Sequence, residues 1–227
     1  MGNDAPESVV TLRGMRGMIA DKLQKSLLES AQVTHHAECD ASVLVAWKER
    51  LRESGETVSI EDLLIFHTVA ALRAHPTLNG TLRDREIHPS KAIHISVAIA
   101  LPGNLLVAPA IFDADGKSPG EIALARRDLI ERAKSNRLSV TEMTCGSFTI
   151  SNLGLSRVRF FTPILNTPQI GILGVGQLAP RPWASADGEL AVRPVMGLSL
   201  TFDHRAVDGA PAAAFLTTLC MMIETPE

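Results

Sequence analysis

Cysteine is scarce in this chain of 227 residues: Cys39, Cys145 and Cys220 are few, odd in number and far apart. Such spacing excludes a zinc pattern and a disulfide framework, and the three reduced thiols are expected in the interior, where free cysteine is usually found. Long apolar runs are missing as well, and none approaches the ~18 residues that suggest a transmembrane helix. Neither sign of charge is in excess, since 22 Lys+Arg against 25 Asp+Glu give a formal net charge of −3. That balance offers no electrostatic reason to expect nucleic acid or an anionic membrane as partner. Met1 to Ser8 has neither the basic nor the apolar part of a signal peptide, and Pro6 stands where a myristoylation signal at Gly2 needs Ser or Thr. A cytoplasmic setting is therefore expected. No internal repeat and no low-complexity linker divides the chain.

What is present is 45% hydrophobic residues, enough for one large core or two small ones. Residues 1–8 are expected to form a disordered leader and residues 9–227 a single domain. Leu12 to Leu28 is expected to be helical, because Met15, Ile19, Leu23 and Leu27 fall four apart and share one face. Ala41 to Ser54 is a second helix, and Ile60 to Ala74 a third, stopped before His75-Pro76. From Ile93 to Ile99 the apolar period changes to two, which marks a strand; Pro102-Gly103-Asn104 turns the chain, and Leu105 to Ile111 is a second strand. Pro119 to Arg137 is the longest charged helix. The last third is strand-rich, with strands over Ser147–Ser151, Ile170–Val175, Leu190–Met196 and Leu198–Phe202 before a closing helix around Ala212 to Ile223. Helices interspersed with a mixed sheet predict a single α/β domain.

Two strand ends carry chemistry. After Phe202 the chain reads Asp203-His204-Arg205-Ala206-Val207-Asp208-Gly209, a strand stopping in polar residues and a glycine. Imidazole titrates near neutrality, so a histidine fixed on such a rigid support can take a proton from a nucleophile. Asp208 can anchor that loop or orient the ring. By itself the pattern equally suits a loop histidine held by hydrogen bonds. The second segment, Gly146-Ser147-Phe148-Thr149-Ile150-Ser151-Asn152-Leu153-Gly154, ends in small polar residues. The Ser151 hydroxyl there can serve a developing oxyanion, or simply a turn.

Together these segments resemble the catalytic domain of the dihydrolipoamide acyltransferases of 2-oxo acid dehydrogenase complexes, a family sharing its fold with chloramphenicol acetyltransferase. Asp203 to Gly209 matches that family's Asp-His-Arg-x-x-Asp-Gly, and Phe148 to Gly154 its Phe-Thr-Ile-Ser-Asn-Leu-Gly. Phe161-Thr162-Pro163-Ile164, the run Gly171 to Gly176, Arg16 to Ala20 and His75 to Asn79 match further family segments in order. The likeness covers about residues 9 to 224.

The resemblance implies a chloramphenicol acetyltransferase-like α/β domain that moves an acyl group between the thiols of coenzyme A and dihydrolipoamide without a metal. His204 would be the base, Ser151 the oxyanion donor and Asp208 the residue fixing the loop, with Arg16 as its ionic partner. It also implies a homotrimer in which His204 of one chain faces Ser151 of the next, and a larger cubic or dodecahedral core. Full-length relatives carry lipoyl and peripheral-subunit-binding domains that do not occur in this sequence, so the lipoyl domain is expected in cis on a longer chain or in trans. Arg157 and Arg159 depart from the family pattern; they either alter subunit contacts, attract the phosphates of coenzyme A, or are simply solvated. His35-His36 is read as surface or packing. The rival readings are a coenzyme A-dependent acyltransferase acting on a free small molecule and a non-catalytic trimeric scaffold.

Overall fold

The computed structural model describes residue 9 and residues 11–184 and 188–225, so the expected leader, residues 1–8, lies outside the described residues. In chain order the elements are α1 (Gly14–Glu29), β1 (Gln32–Asp40), α2 (Ser42–Glu53), α3 (Ile60–Ala74), β2 (Gly80–Arg83) and β3 (Glu86–Pro89). There follow β4 (Ile95–Val97), β5 (Ile99–Leu101), β6 (Leu105–Val107), β7 (Ala110–Ile111), α4 (Pro119–Lys134) and α5 (Val140–Thr144). The last four are β8 (Phe148–Asn152), β9 (Gly171–Ala184), β10 (Leu190–Asp203) and α6 (Gly209–Glu224). Six strands form one sheet in the order β1-β10-β9-β8-β4-β7. Strand β8 runs parallel to both β4 and β9 while the other pairs are antiparallel, so the sheet is mixed, as expected.

The helices start where their sequences dictate. Ser59 caps α3 by accepting from the Asp62 amide, and Asp62 returns the bond to the Ser59 amide at 2.7 Å. Ser118 and Glu121 do the same for α4, whose first residue is Pro119. Such reciprocal caps satisfy two of the amides a helix start leaves open. Leu63 and Leu64 of α3 and Phe215 and Leu219 of α6 then bury against Phe148 and Ile150 of β8 and Leu198, Leu200 and Phe202 of β10. Alternation decides the other side of β10: Ser199, Thr201 and Asp203 are also buried, and each finds a polar partner in His36, Thr34 or Arg205.

Several expectations are corrected. The apolar face of α1 is not buried by its own chain, for Ser26 is its sole buried residue and Met15 and Leu27 stay exposed. The run from Ile93 to Ile99 is not one strand, since β4 belongs to the main sheet and β5 pairs with β6 in a separate hairpin. Leu105 to Ile111 is likewise broken at Ala108-Pro109, where the Pro109 carbonyl accepts from the Val97 amide. Leu190–Met196 and Leu198–Phe202 are one strand with a register irregularity at Gly197. Cys39 and Cys220 are buried as expected, but Cys145 is exposed.

Candidate active site

Strand β10 delivers His204 through a clamp at its end. The Asp203 carboxylate, 2% exposed, accepts from the Arg205 amide (3.1 Å), from Arg205 Nε (2.9 Å) and Nη2 (2.6 Å), and from the Ala31 amide (3.3 Å). The Ala31 carbonyl in turn accepts from the His204 amide at 2.8 Å. Burial pushes the Asp203 carboxyl up, but the Arg205 bonds outweigh it and hold the group below the usual range, so it is ionised at neutral pH. The backbone on both sides of His204 is thereby fixed while its ring stays half-exposed, tilted over Phe202 with centroids 5.8 Å apart.

Asp208 occupies the cap position of α6 without a side-chain capping bond, and its Oδ1 lies 3.7 Å from His204 Nδ1. That is within electrostatic reach and beyond a hydrogen bond. The expected partnership with Arg16 is not formed in this chain: Arg16 donates to the Asn104 carbonyl at 3.2 Å. Anchoring of the loop therefore falls to Asp203 and Arg205, which sequence reasoning missed although both lie inside the quoted motif.

Ser151 sits at the other strand end, in β8, directly opposite Gly174 of β9. The space a Gly174 side chain would fill is taken by the Phe161 ring. Gly174 itself pairs with Ser199, five residues before His204. Two strand spacings and five residue rises put Ser151 roughly 15–20 Å from His204 in the same chain. One chain does not bring the two together.

The residues around Ser151 form a polar cluster. Asn152 Oδ1 accepts from the Gly154 amide at 2.7 Å. Glu61, Ala98, Asn152, Leu153, Leu155 and Ser156 line a cavity of about 410 Å³. Arg159 makes a two-pronged pair with Glu38, with Nε at 2.8 Å from Oε1, and lies over the Phe160 ring, whereas Arg157 is exposed. His35 packs edge-on against Phe202, and the exposed His36 shares a 2.9 Å hydrogen bond with Ser199 through Nδ1, so the pair is packing and surface, as expected. Among the described residues no three His, Cys, Asp or Glu side chains gather to hold a metal ion.

The 2-oxoacid dehydrogenases acyltransferase (catalytic domain) family model matches residues 4–227. The chain belongs to this family. It is 38% identical, over 96% of its length, to the dihydrolipoyllysine-residue acetyltransferase component of the acetoin cleaving system of Bacillus subtilis (strain 168), covering 55% of that protein. The dihydrolipoyllysine-residue succinyltransferase component of the 2-oxoglutarate dehydrogenase complex of the same organism is 34% identical over 99% of the chain and is likewise 55% covered. The family member thus spans about half the length of these curated relatives. A probable dihydrolipoamide acetyltransferase from Listeria monocytogenes 4b F2365 superposes with TM-score 0.89 at 32% identity, covering 96% of this chain and 94% of that one. An Azotobacter vinelandii dihydrolipoamide acetyltransferase, studied for the roles of a serine, a histidine and an asparagine in its catalytic mechanism, gives 0.87 at 30%, covering 96% and 91%. Chloramphenicol acetyltransferase, at TM-score 0.57 and 15% identity over 90% of this chain and 94% of that one, shares the fold alone.

Proposed function

We propose that this family member transfers an acyl group between the thiols of coenzyme A and dihydrolipoamide at a site shared by two subunits of a homotrimer. The observation that carries this reading is the separation of Ser151 and His204. Each ends a rigid strand inside a family motif, yet they are too far apart to serve one substrate within one chain. The exposed apolar face of α1 supports a subunit contact. The Azotobacter protein supports the assignment too: its studied histidine and asparagine are four residues apart, as are His204 and Asp208.

In this mechanism the imidazole of His204 takes the proton of the incoming thiol, whose unperturbed pKa of ~8.5 asks only modest help from a base. The thiolate attacks the thioester carbonyl carbon, and the Ser151 hydroxyl of the neighbouring subunit donates to the oxyanion. Collapse expels the second thiolate, which recovers the proton from His204. Asp208 stands 3.7 Å from the ring throughout, at the start of the helix that follows. Coenzyme A and lipoamide are both substrates, and no step asks for a metal. The lipoyl group arrives on a separate domain, in cis or in trans.

The test is complementation. His204→Ala and Ser151→Ala chains, each inactive alone with dihydrolipoamide and acetyl- or succinyl-coenzyme A, are unfolded together in equal amounts and reassembled. Random mixing in a ring of heterologous interfaces leaves about a quarter of the sites with both groups, and about that fraction of activity should return. No recovery from assembled trimers would refute the shared site, and faster acylation of a small alcohol or amine than of dihydrolipoamide would refute the acceptor.

A further inference from the structure

The first turn of α3 holds more charge than its packing needs. Asp62, almost fully buried, completes the Ser59 cap and receives Arg126 Nε at 2.6 Å, which ties α3 to α4. Arg126 also reaches Ser59 Oγ at 3.0 Å. That set is complete without Glu61. Yet Glu61 is largely buried beside it, with Oε2 3.1 Å from Arg126 Nη1, so two carboxylates share one guanidinium. Burial pushes the Glu61 carboxyl up from its usual range, which is the mark of a charge kept at a cost.

The Glu61 carboxylate faces the cavity of about 410 Å³ that also presents Asn152 and Ser156. The Asn152 side chain stands on the wall of the same cavity, and its amide offsets part of the rise that burial gives the Glu61 carboxyl. A carboxylate only accepts, so the end of the Asn152 amide that suits Glu61 is its NH₂, which leaves the amide oxygen for another donor. That oxygen is the atom that accepts from the Gly154 amide at 2.7 Å and closes the turn after Ser151. The turn is tightened by Ser156, whose hydroxyl donates to the Leu153 carbonyl at 2.7 Å, and is tied to β9 by the Leu153 amide on the Val175 carbonyl at 2.8 Å. Arg126, Glu61 and Asn152 thus form a row of polar side chains, the last two on one cavity wall, that leads to the residue next to Ser151.

We propose that Glu61 is a positioning residue for the oxyanion donor: through Asn152 it fixes the turn that aims the Ser151 hydroxyl. This deepens the proposed function and rests on the role given there to Ser151. Glu61 itself touches no reacting atom. Its loss lets the hydroxyl drift, and a small displacement of a catalytic group is enough to slow a reaction substantially.

The test uses the full chain with acyl-coenzyme A and dihydrolipoamide, comparing wild type, Glu61→Ala, Ser151→Ala and the double variant. Glu61→Ala should lower kcat about ten-fold, with KM for coenzyme A changed less than about two-fold. Added to Ser151→Ala it should lower kcat no further, because the group it positions is already gone. A further ten-fold loss in that background would mean general damage and overturn the proposal, as would an unchanged kcat in Glu61→Ala alone. If Ser151→Ala keeps wild-type turnover, the oxyanion assignment fails and the proposal falls with it, a result distinct from failure at Glu61. Should Glu61→Ala not fold, Glu61→Gln, which keeps the volume and one acceptor oxygen, is read in the same two backgrounds. It should show a smaller loss that again vanishes with Ser151→Ala.

Discussion

Acid should loosen this protein through His67 before it protonates most carboxylates. His67 lies in α3 at 6% exposure, with the Trp47 ring centroid 5.4 Å away and that of Phe66 5.9 Å away. Burial lowers its pKa from 6.5 to about 4, so the folded chain keeps the ring neutral while the unfolded chain protonates it. The stability this represents is fully present above pH ~6.5 and is lost as the pH falls through about 4. A 2.5-unit difference amounts to roughly 3 kcal/mol in the acid limit and about 2 kcal/mol at pH 5, on 1.36 kcal/mol per unit. Urea unfolding at pH 7.5 and pH 5, at one fixed protein concentration, measures it. Other groups titrate in wild type and in His67→Leu alike, so the informative quantity is the difference between the two proteins. That difference should move by about 2 kcal/mol in favour of His67→Leu on going to pH 5, at unchanged m-value. A difference that stays constant within about 0.5 kcal/mol would refute the argument that His67 is buried neutral.

His204→Ala should leave the fold intact and slow acyl transfer by roughly two to four orders of magnitude, the worth of a positioned base; activity within a few-fold of wild type would remove it from the mechanism. Ser151→Ala should cost about two to three orders of magnitude in kcat, as loss of one oxyanion donor does, and a rise in KM at unchanged kcat would instead make Ser151 a binding residue. A β-carbon at Gly197 would collide with the Arg159 carbonyl oxygen, so Gly197→Ala should destabilise by about 1–3 kcal/mol, read as a lower urea midpoint.

The elements legible in the sequence were those whose stability is local. Helix α3 carries its own cap in Ser59 and Asp62 and its own stop in His75-Pro76, and Ile60–Ala74 is found as read. Strand β1 was missed because Gln32–Asp40 has no clean alternation; the strand exists through its pairing with β10, where Thr34 meets Thr201 and His36 meets Ser199. Strands β9 and β10 run on past the sheet as a ribbon in which Pro180 faces Pro194, so proline there marks neither a break nor an end. A ribbon of two strands leaves outer amides unneeded, which is where proline is tolerated. The apolar stripe of α1 was visible, but what covers it is a matter of assembly, which periodicity does not report.

For the site, the motifs located the groups and left out their geometry. The run Asp203-His204-Arg205 reads as three polar residues competing for one role. The structure separates them: Asp203 and Arg205 spend their charge on each other and on Ala31, which is what leaves the His204 ring free of a tight partner. The base proposed at His204 must be held yet unspent, since a strong bond to its ring would compete with the thiol proton that the proposed reaction gives it. Fixing the backbone on either side of His204, with Asp208 3.7 Å from the ring, meets both demands. The same division holds at Ser151, where Asn152 and Ser156 make the turn bonds and the hydroxyl of the proposed oxyanion donor makes none among the described residues. Neighbours in the motif bear the structural load at both strand ends, and that division of labour is why the residues proposed to react cannot be told from their supports by residue type alone.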